Sequence, residues 1–541
     1  VSKRQLRAWQ REAFELYQDQ LAKGEKQALW EATPGAGKTT AALRVVKHQL
    51  IQRLAEKAFI VVPTSHLKIQ WATAALSFGL QLDPNFGSRR NVLASDFDGA
   101  VVTYQQFKNN QKCFYNLASR SVVILDEVHH AAEGLSWGTS IIQTLQKARF
   151  ILCLSGTAFR SDNNPIPYVK YDSEGLSTPD FCYSYTRAIR EQVCRPAAIF
   201  TYGGEVSWTE NDQIYRASFS DNLDNIASAR RHRSALDPSS GWIKPMLRDA
   251  HEMLLSLRKE QANAGGLIVC PDHKIARQMV KLVHEVCGEK PTLVLSDEAA
   301  ASKKIKTFSN SNSFWLLACN MVSEGVDIPR LRVGVYASSI KTKMYFRQFL
   351  GRIVRRLPIP SGPQVAYLYL PADPALTRLA EEIEQEAQHS LNKPREDLFA
   401  DVEALNKSNK EKSEKSWSTL DAYNSGVDSI ILHGNQLPLF GTFDGSDRIQ
   451  SAINHEVESK LEERITRSEE KSMLAREIRQ LVGIYHKKSG KSHAQIHSSI
   501  NKTQKVSSQT ECTLPQLQER LALLKKMNAS FAKEFEIQGL R

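Results

Sequence analysis

The chain has 541 residues, 41% of them hydrophobic and 24% charged. That is too long for one hydrophobic core and too ordinary for a fibrous or disordered chain, so about three to four globular domains are expected. With 71 Lys and Arg against 59 Asp and Glu the formal charge is +12, which favours a polyanionic partner because positive surface attracts phosphate at long range. The 8 cysteines include no Cys-x-x-Cys pair, which argues against a zinc ribbon or a dithiol redox site. The first residues carry no apolar leader, and no apolar run approaches membrane-span length. A cytoplasmic protein without a membrane partner is therefore expected.

Between residues 26 and 155, short β-branched runs alternate with helical stretches: Ala58 to Val62, Ala100 to Thr103, Val122 to Leu125 and Phe150 to Leu154. Continuous apolar strands separated by helices predict a parallel sheet buried on both faces, a first α/β lobe over residues 1–171. A connecting segment, 172–262, is expected to hold a hairpin around Ala198 to Glu205. The pattern returns at Gly266 to Cys270, Thr292 to Leu295, Phe314 to Ala318 and Val333 to Tyr336, giving a second α/β lobe over 263–375. Strands are expected to stop there. Residues 376–446 read as a linker or accessory segment, Lys/Glu/Ser-rich near 406–417, and 447–541 as a helical region. In that region Ile449, Ile453, Val457, Leu461 and Ile465 recur every four residues and predict a long amphipathic helix. Ser492 with Gln495 and Thr513 with Gln516, the latter with Pro515 in the first turn, have the spacing of helix capping boxes.

Three motifs carry chemistry. Ala32-Thr-Pro-Gly-Ala-Gly-Lys-Thr39 follows the apolar Ala28 to Trp30 and opens a helical stretch. Such a loop wraps phosphates with backbone N–H groups; Gly35 and Gly37 keep side chains out of the way, and Pro34, Ala36 and Thr40 complete the cradle. Lys38 would place a point charge on the β- and γ-phosphates of ATP, and Thr39 a hydroxyl on Mg²⁺. Val122 to Leu125 then leads into Asp126 and Glu127: Asp126 suits Mg²⁺, and Glu127 suits the water that attacks the phosphate. Third, Gln348-Phe-Leu-Gly-Arg-Ile-Val-Arg355 is read as one helix of the second lobe. On it Arg352 and Arg355, three apart, would share a face and reach the γ-phosphate as arginine fingers, with Gln348 beside them.

These residues resemble the motifs of superfamily 2 helicases of the DExH type, most of all DNA translocases such as restriction-enzyme motor subunits, over about residues 4–375. The resemblance implies two tandem RecA-like lobes that hydrolyse ATP between them. In that family the segment resembling Leu6 to Gln10 sets a Gln, here Gln10, on the adenine. Val61 to Trp71 and Val102 to Gln105 resemble nucleic-acid contact motifs, which nominates Thr64 and Thr103. Leu154 to Arg160 resembles the motif coupling hydrolysis to movement (Ser155, Gly156 and Thr157), although Ala158 stands where Pro is more usual. Met321 to Pro329 resembles the motif that touches both strand and nucleotide, which nominates Ser323, Gly325 and Asp327. Ala32, where the phosphate loop usually has Gly, is a variation found among helicases. The Ser-Gly-Thr at 155–157, in place of the Ser-Ala-Thr of RNA-processing members, implies DNA as the track. An ATP-gated clamp or remodeller that does not unwind, a motor subunit of a restriction or phage-defence complex, and an RNA helicase share these motifs and stay open.

The C-terminal stretch His486 to Lys505 holds five lysines and no acidic residue. Flanked by capped helices, it suits either docking on phosphates or a solvated basic turn in a helical bundle. His486, His493 and His497 have no Cys or carboxylate at ligand spacing, which argues against a metal site. The helical region also offers a surface for protein partners.

Overall fold

The computed structural model describes residues 6–87, 93–132, 141–156, 165–173, 177–210, 212–295, 298, 300–319, 328–357, 364–384, 417–423, 426–432 and 466–538. Seven strands form the first sheet: β1 (Gln27–Ala32), β2 (Lys57–Val62), β3 (Leu82–Asp83), β4 (Gly99–Thr103), β5 (Ser121–Leu125), β6 (Phe150–Ser155) and β7 (Phe181–Tyr183). They run in the order β3-β4-β2-β5-β6-β1-β7 with every pairing parallel. β4 and β5 are buried at every position, as expected of strands covered on both faces. One face packs on the Ala8–Ala22, Lys38–Ile51 and Ser65–Leu76 helices through Trp9, Tyr17, Val45 and Trp71. The other holds Phe59, Phe86, Phe107 and Phe114.

The second sheet uses β8 (Ala197–Tyr202), β11 (Gly265–Cys270), β12 (Thr292–Val294), β13 (Trp315–Cys319), β14 (Leu331–Tyr336), β15 (Ala366–Pro371) and β17 (Val427–Leu432). Its order is β12-β13-β11-β14-β15-β8-β17, parallel except where β17 lies antiparallel to β8. β9 (Glu205–Glu210), β10 (Gln213–Ser218) and β16 (Trp417–Tyr423) make a small antiparallel sheet in the order β10-β9-β16. These are two tandem RecA-like lobes of α/β type, followed by a helical C-terminal region.

Two expectations are corrected. The hairpin forms one strand later, between β9 and β10, with Glu210 opposite Gln213. β8 instead pairs with β15 and β17, because its largely buried Ala-Ala-Ile-Phe-Thr-Tyr run suits the interior of a sheet. Strands also continue past residue 375, since β16 and β17 complete sheets begun some two hundred residues earlier. Segment 172–262 is thus more than a connector: β7 enters the first sheet and β8 the second.

The helices Arg467–Ser489, His493–Gln504 and Leu514–Gln538 pack around Ile478, Val482, Ile496, Ile500 and Leu524. Both expected capping boxes are present, Ser492 with Gln495 and Thr513 with Gln516. The repeat from Ile449 to Leu461 and Ile465 lies outside the described residues, as do residues 406–416. Among the described residues no helix is long and apolar enough to cross a membrane.

Candidate functional site

The site forms at the C-terminal ends of the first lobe's strands, where open α/β sheets present their crevice. After β1 the chain turns through Gly35 and Gly37 at φ +84° and +94°, left-handed values that a side chain would strain. Gly37 then caps the Lys38–Ile51 helix, so Thr39 and Thr40 stand in its first turn. The loop is clamped from outside by the start of the Ala8–Ala22 helix. Arg7 and Trp9 Nε1 both donate to the Ala36 carbonyl, at 2.7 and 3.2 Å. Gln10 Nε2 donates to the Gly37 carbonyl at 3.1 Å while Gln10 Oε1 accepts the Arg7 N–H at 2.9 Å. Gln10 is therefore set against the phosphate loop by its own capping geometry.

Lys38 Nζ lies 3.2 Å from Glu127 Oε1 and donates to the Ala32 carbonyl at 3.1 Å. The other Glu127 oxygen accepts the Gly156 N–H at 3.1 Å and sits 3.7 Å from His129 Nδ1. That nitrogen is also 3.3 Å from Ser155 Oγ, which ties the carboxylate motif to the expected coupling motif. Glu127 itself holds φ +48°, a strained backbone for a residue with a side chain, of the kind that concentrates at functional sites. Burial alone would push its carboxyl up. Lys38, His129 and the Gly156 N–H outweigh that and hold it down near 2. Asp126 goes the other way, up to about 6, through burial and the neighbouring Glu127 charge, with Lys38 and Trp71 opposing. Trp71 Nε1 donates to Asp126 Oδ2 at 2.8 Å, and the Tyr104 hydroxyl donates to the Asp126 carbonyl at 2.9 Å.

The second lobe arrives on the Lys343–Ile353 helix, in which Gln348 and Arg352 are buried. Gly351 meets Pro34 of the phosphate loop so closely that a Cβ on Gly351 would stand 2.1 Å from Pro34 Cβ. The expectation of one continuous helix through Arg355 is corrected. The helix caps at Val354, and Arg355 pairs with Cys194 in an isolated antiparallel bridge. The two arginines therefore address different places. The Arg355 stem lies 3.2 Å from where a Gly35 Cβ would be. Arg352 is close enough to His66 that its charge, after burial, helps lower that imidazole's pKa. Burial draws Arg355 down to about 10, so it remains a cation at neutral pH.

Of the expected strand contacts, Thr103 caps a helix, its hydroxyl accepting the Gln106 N–H. Among the described residues the Thr64 hydroxyl is buried without a hydrogen-bond partner. Thr157, Ser323, Gly325 and Asp327 lie outside the described residues. Sequence reasoning gave no role to Arg7, Trp9, His66, Trp71 or His129, although each stands inside or beside a quoted motif. Only tertiary contact separates them from ordinary core or cap residues.

A glycine-rich loop and a carboxylate pair on one parallel sheet, met by an arginine-bearing helix from a second, define a superfamily 2 helicase-like protein. The family model described as Type III restriction enzyme, res subunit, matches residues 3–160. An uncharacterized protein of Mycobacterium leprae is 34% identical over 571 residues, covering 97% of this chain and 94% of that one. The chain belongs to that protein's family, among the superfamily 2 helicase-like proteins related to restriction-enzyme motor subunits. A DNA 3'-5' translocase of Sulfurisphaera tokodaii is 24% identical over 361 residues, covering 61% of this chain and 75% of that one. The fold is also similar to a fragment assigned as the HsdR subunit of a type I restriction enzyme from Vibrio vulnificus. There the TM-score is 0.50 at 16% identity, over 70% of this chain and 67% of that one.

Proposed function

We propose that this protein is an ATP hydrolase that couples opening and closing of its two lobes to movement along DNA. The observation that carries the reading is the Lys38–Glu127 pair, 3.2 Å apart, beside a phosphate-loop geometry with the second lobe's Arg355 laid against Gly35. Loop N–H groups donate to the phosphates of ATP, and Lys38 moves from Glu127 to the β- and γ-oxygens. Glu127, released but still held by the Gly156 N–H, orients and polarises the attacking water. Arg355 and Arg352 neutralise charge on the transferring group when the lobes close, with Gln348 on the Arg352 helix and Asp327 completing the nucleotide contacts.

Mg²⁺ fits the residues present: the Thr39 hydroxyl and the Asp126 carboxylate are oxygen donors suited to a hard cation that takes most of its ligands from phosphate and water. When bound, it would neutralise phosphate charge. Trp71 occupies one Asp126 oxygen and so orients the other.

Thr64, Thr103, Ser323 and Gly325 are assigned to the sugar–phosphate track, which is gripped without reading bases; because the Thr103 hydroxyl caps a helix and that of Thr64 is buried, these two would contact it through their backbone or after a rearrangement on binding. A polyanionic track is favoured by the +12 charge, and DNA in particular by the relative named as a DNA translocase. Hydrolysis by the full chain, measured alone and with single-stranded DNA, duplex DNA or RNA, tests the track. Stimulation by a DNA form is expected. Stimulation by RNA alone would replace DNA with RNA, and strong hydrolysis indifferent to all three would remove the coupling.

A further inference from the structure

We propose that the C-terminal helical unit is a rigid arm that grips duplex DNA at a second place, through phosphate contacts of Lys487, Lys488, Lys491, Lys502 and Lys505. The inference rests on the motor reading above and extends it to a surface that the ATP site does not use.

Asp96, just before β4, anchors the unit to the first lobe. Its carboxylate pairs with Lys471 at 2.8 Å and accepts the Leu514 N–H at 3.0 Å. Its carbonyl accepts from Arg467, and Asn85 donates to Ser468 Oγ at 2.7 Å. The Arg467–Ser489 and Leu514–Gln538 helices thus both start at one lobe-1 residue. They then run side by side, with Lys525 on Glu477 at 2.9 Å and Asn528 donating to the Leu481 carbonyl at 3.2 Å. At 1.5 Å per residue, the Lys487 end of the first helix stands roughly 24 Å beyond Lys471. The His493–Gln504 helix folds back from that tip, and Gln504 Nε2 donates to the Gln516 carbonyl at 2.6 Å. The result is a braced unit anchored on lobe 1.

Its outer surface has the chemistry of a phosphate reader. All five lysines are exposed, and none has a carboxylate partner among the described residues. Nearby Glu511 and Glu519 are taken up by Ser507 and Gln504. Five of the chain's net 12 positive charges fall in this acid-free stretch of 20 residues. Three of them, Lys487, Lys488 and Lys491, stand at the tip and two, Lys502 and Lys505, at the far end of the return helix, which is roughly 18 Å long, on the order of five base-pair rises. The return helix buries Ile496 and Ile500 and exposes Ala494, Gln495, Ser498 and Ser499. Those small and polar side chains permit close approach to a groove, and that face lacks the large apolar or aromatic anchor on which protein interfaces depend. Point charges on lysine, without base-reading pairs, give sequence-independent, salt-sensitive binding.

The test uses the full chain with all five lysines changed to Gln, a second variant with all five changed to Arg, and wild type. Anisotropy of a labelled 30-base-pair duplex is followed between 50 and 200 mM salt, beside ATP hydrolysis with and without single-stranded DNA. The Gln variant is expected to bind duplex at least tenfold more weakly, with a log K against log salt slope lowered by about 3 to 4.5, near 0.9 for each phosphate no longer neutralised. The Arg variant should bind like wild type, and both should keep basal hydrolysis. Unchanged duplex affinity and slope in the Gln variant overturn the arm while leaving the motor intact, and would direct attention to an acidic protein partner. Failure of wild type to hydrolyse ATP under any condition overturns the motor reading, while the anisotropy still decides the arm.

Discussion

Gly351→Ala separates the closing of the lobes from the stability of either one. The new Cβ would stand 2.1 Å from Pro34 Cβ and 3.1 Å from Pro34 Cγ, whereas carbon atoms settle at about 3.5–4.0 Å. The two surfaces must therefore part by roughly 1.5–2 Å at this point. Within its own helix the change gains up to about 1 kcal/mol of helix propensity. Across the cleft, overpacking costs about 1–3 kcal/mol, which lowers the closed population roughly 5- to 150-fold. Opening the cleft relieves the clash without unfolding anything. DNA-stimulated ATP turnover should therefore fall at least fivefold while the melting temperature holds or rises. Gly483→Ala is the control, since that helical glycine has nothing within 4 Å of an added Cβ and should leave turnover alone. Wild-type turnover in Gly351→Ala would refute the argument that this contact belongs to the working closed state.

Trp71→Phe removes the indole N–H from Asp126 Oδ2, leaving a buried carboxylate oxygen short of a donor, a loss of about 1–3 kcal/mol. A Mg²⁺ titration of turnover should show a several-fold higher half-saturation, and an unchanged requirement would deny Trp71 its positioning role. His232 is buried between the Ser338 carbonyl at 3.0 Å and Asp373 at 3.6 Å. Burial, then Lys341, lower it from 6.5 to about 4 against the pull of Asp373. The unfolded chain then binds the extra proton between those values, so stability must fall as pH drops from about 6.5 toward 4. Urea unfolding at pH 7, 6 and 5 should show that slope, with a shallower one in His232→Gln; equal slopes would count against it. Asp96→Ala removes the shared anchor of two C-terminal helices, and amide exchange in the first turns after Arg467 should quicken at least tenfold. Wild-type protection there would mean the unit is held elsewhere.

Much of this fold was legible because its strands are buried on both faces. Runs such as Ala58 to Val62 and Val122 to Leu125 announce themselves without context, and the phosphate loop and Asp126–Glu127 have fixed local spacing. What escaped depends on distance along the chain. β17 is recognisable only once β8 exists to pair with it, and Asp96 meets Lys471 and Leu514 across 375 and 418 residues. Arg355 illustrates a third limit. Its side chain reaches the phosphate loop as the motif suggests, but the helical periodicity used to place it ends at Ile353, and the bridge to Cys194 does the placing. Trp71 and His129 were in plain view, yet an indole in a helix and a histidine after two acids read as core residues until their partners are known.

The most direct measurement compares ATP binding and ATP hydrolysis in wild type and Glu127→Gln with saturating DNA. Replacing the carboxylate by an amide should keep nucleotide affinity within a few-fold, because Lys38 and the loop N–H groups remain, while turnover drops by at least a hundredfold, the scale expected for loss of a group that polarises the attacking water. If Glu127→Gln hydrolyses ATP like wild type, the catalytic centre lies elsewhere. If wild type binds ATP and never hydrolyses it, the chain is a nucleotide-gated clamp and not a motor.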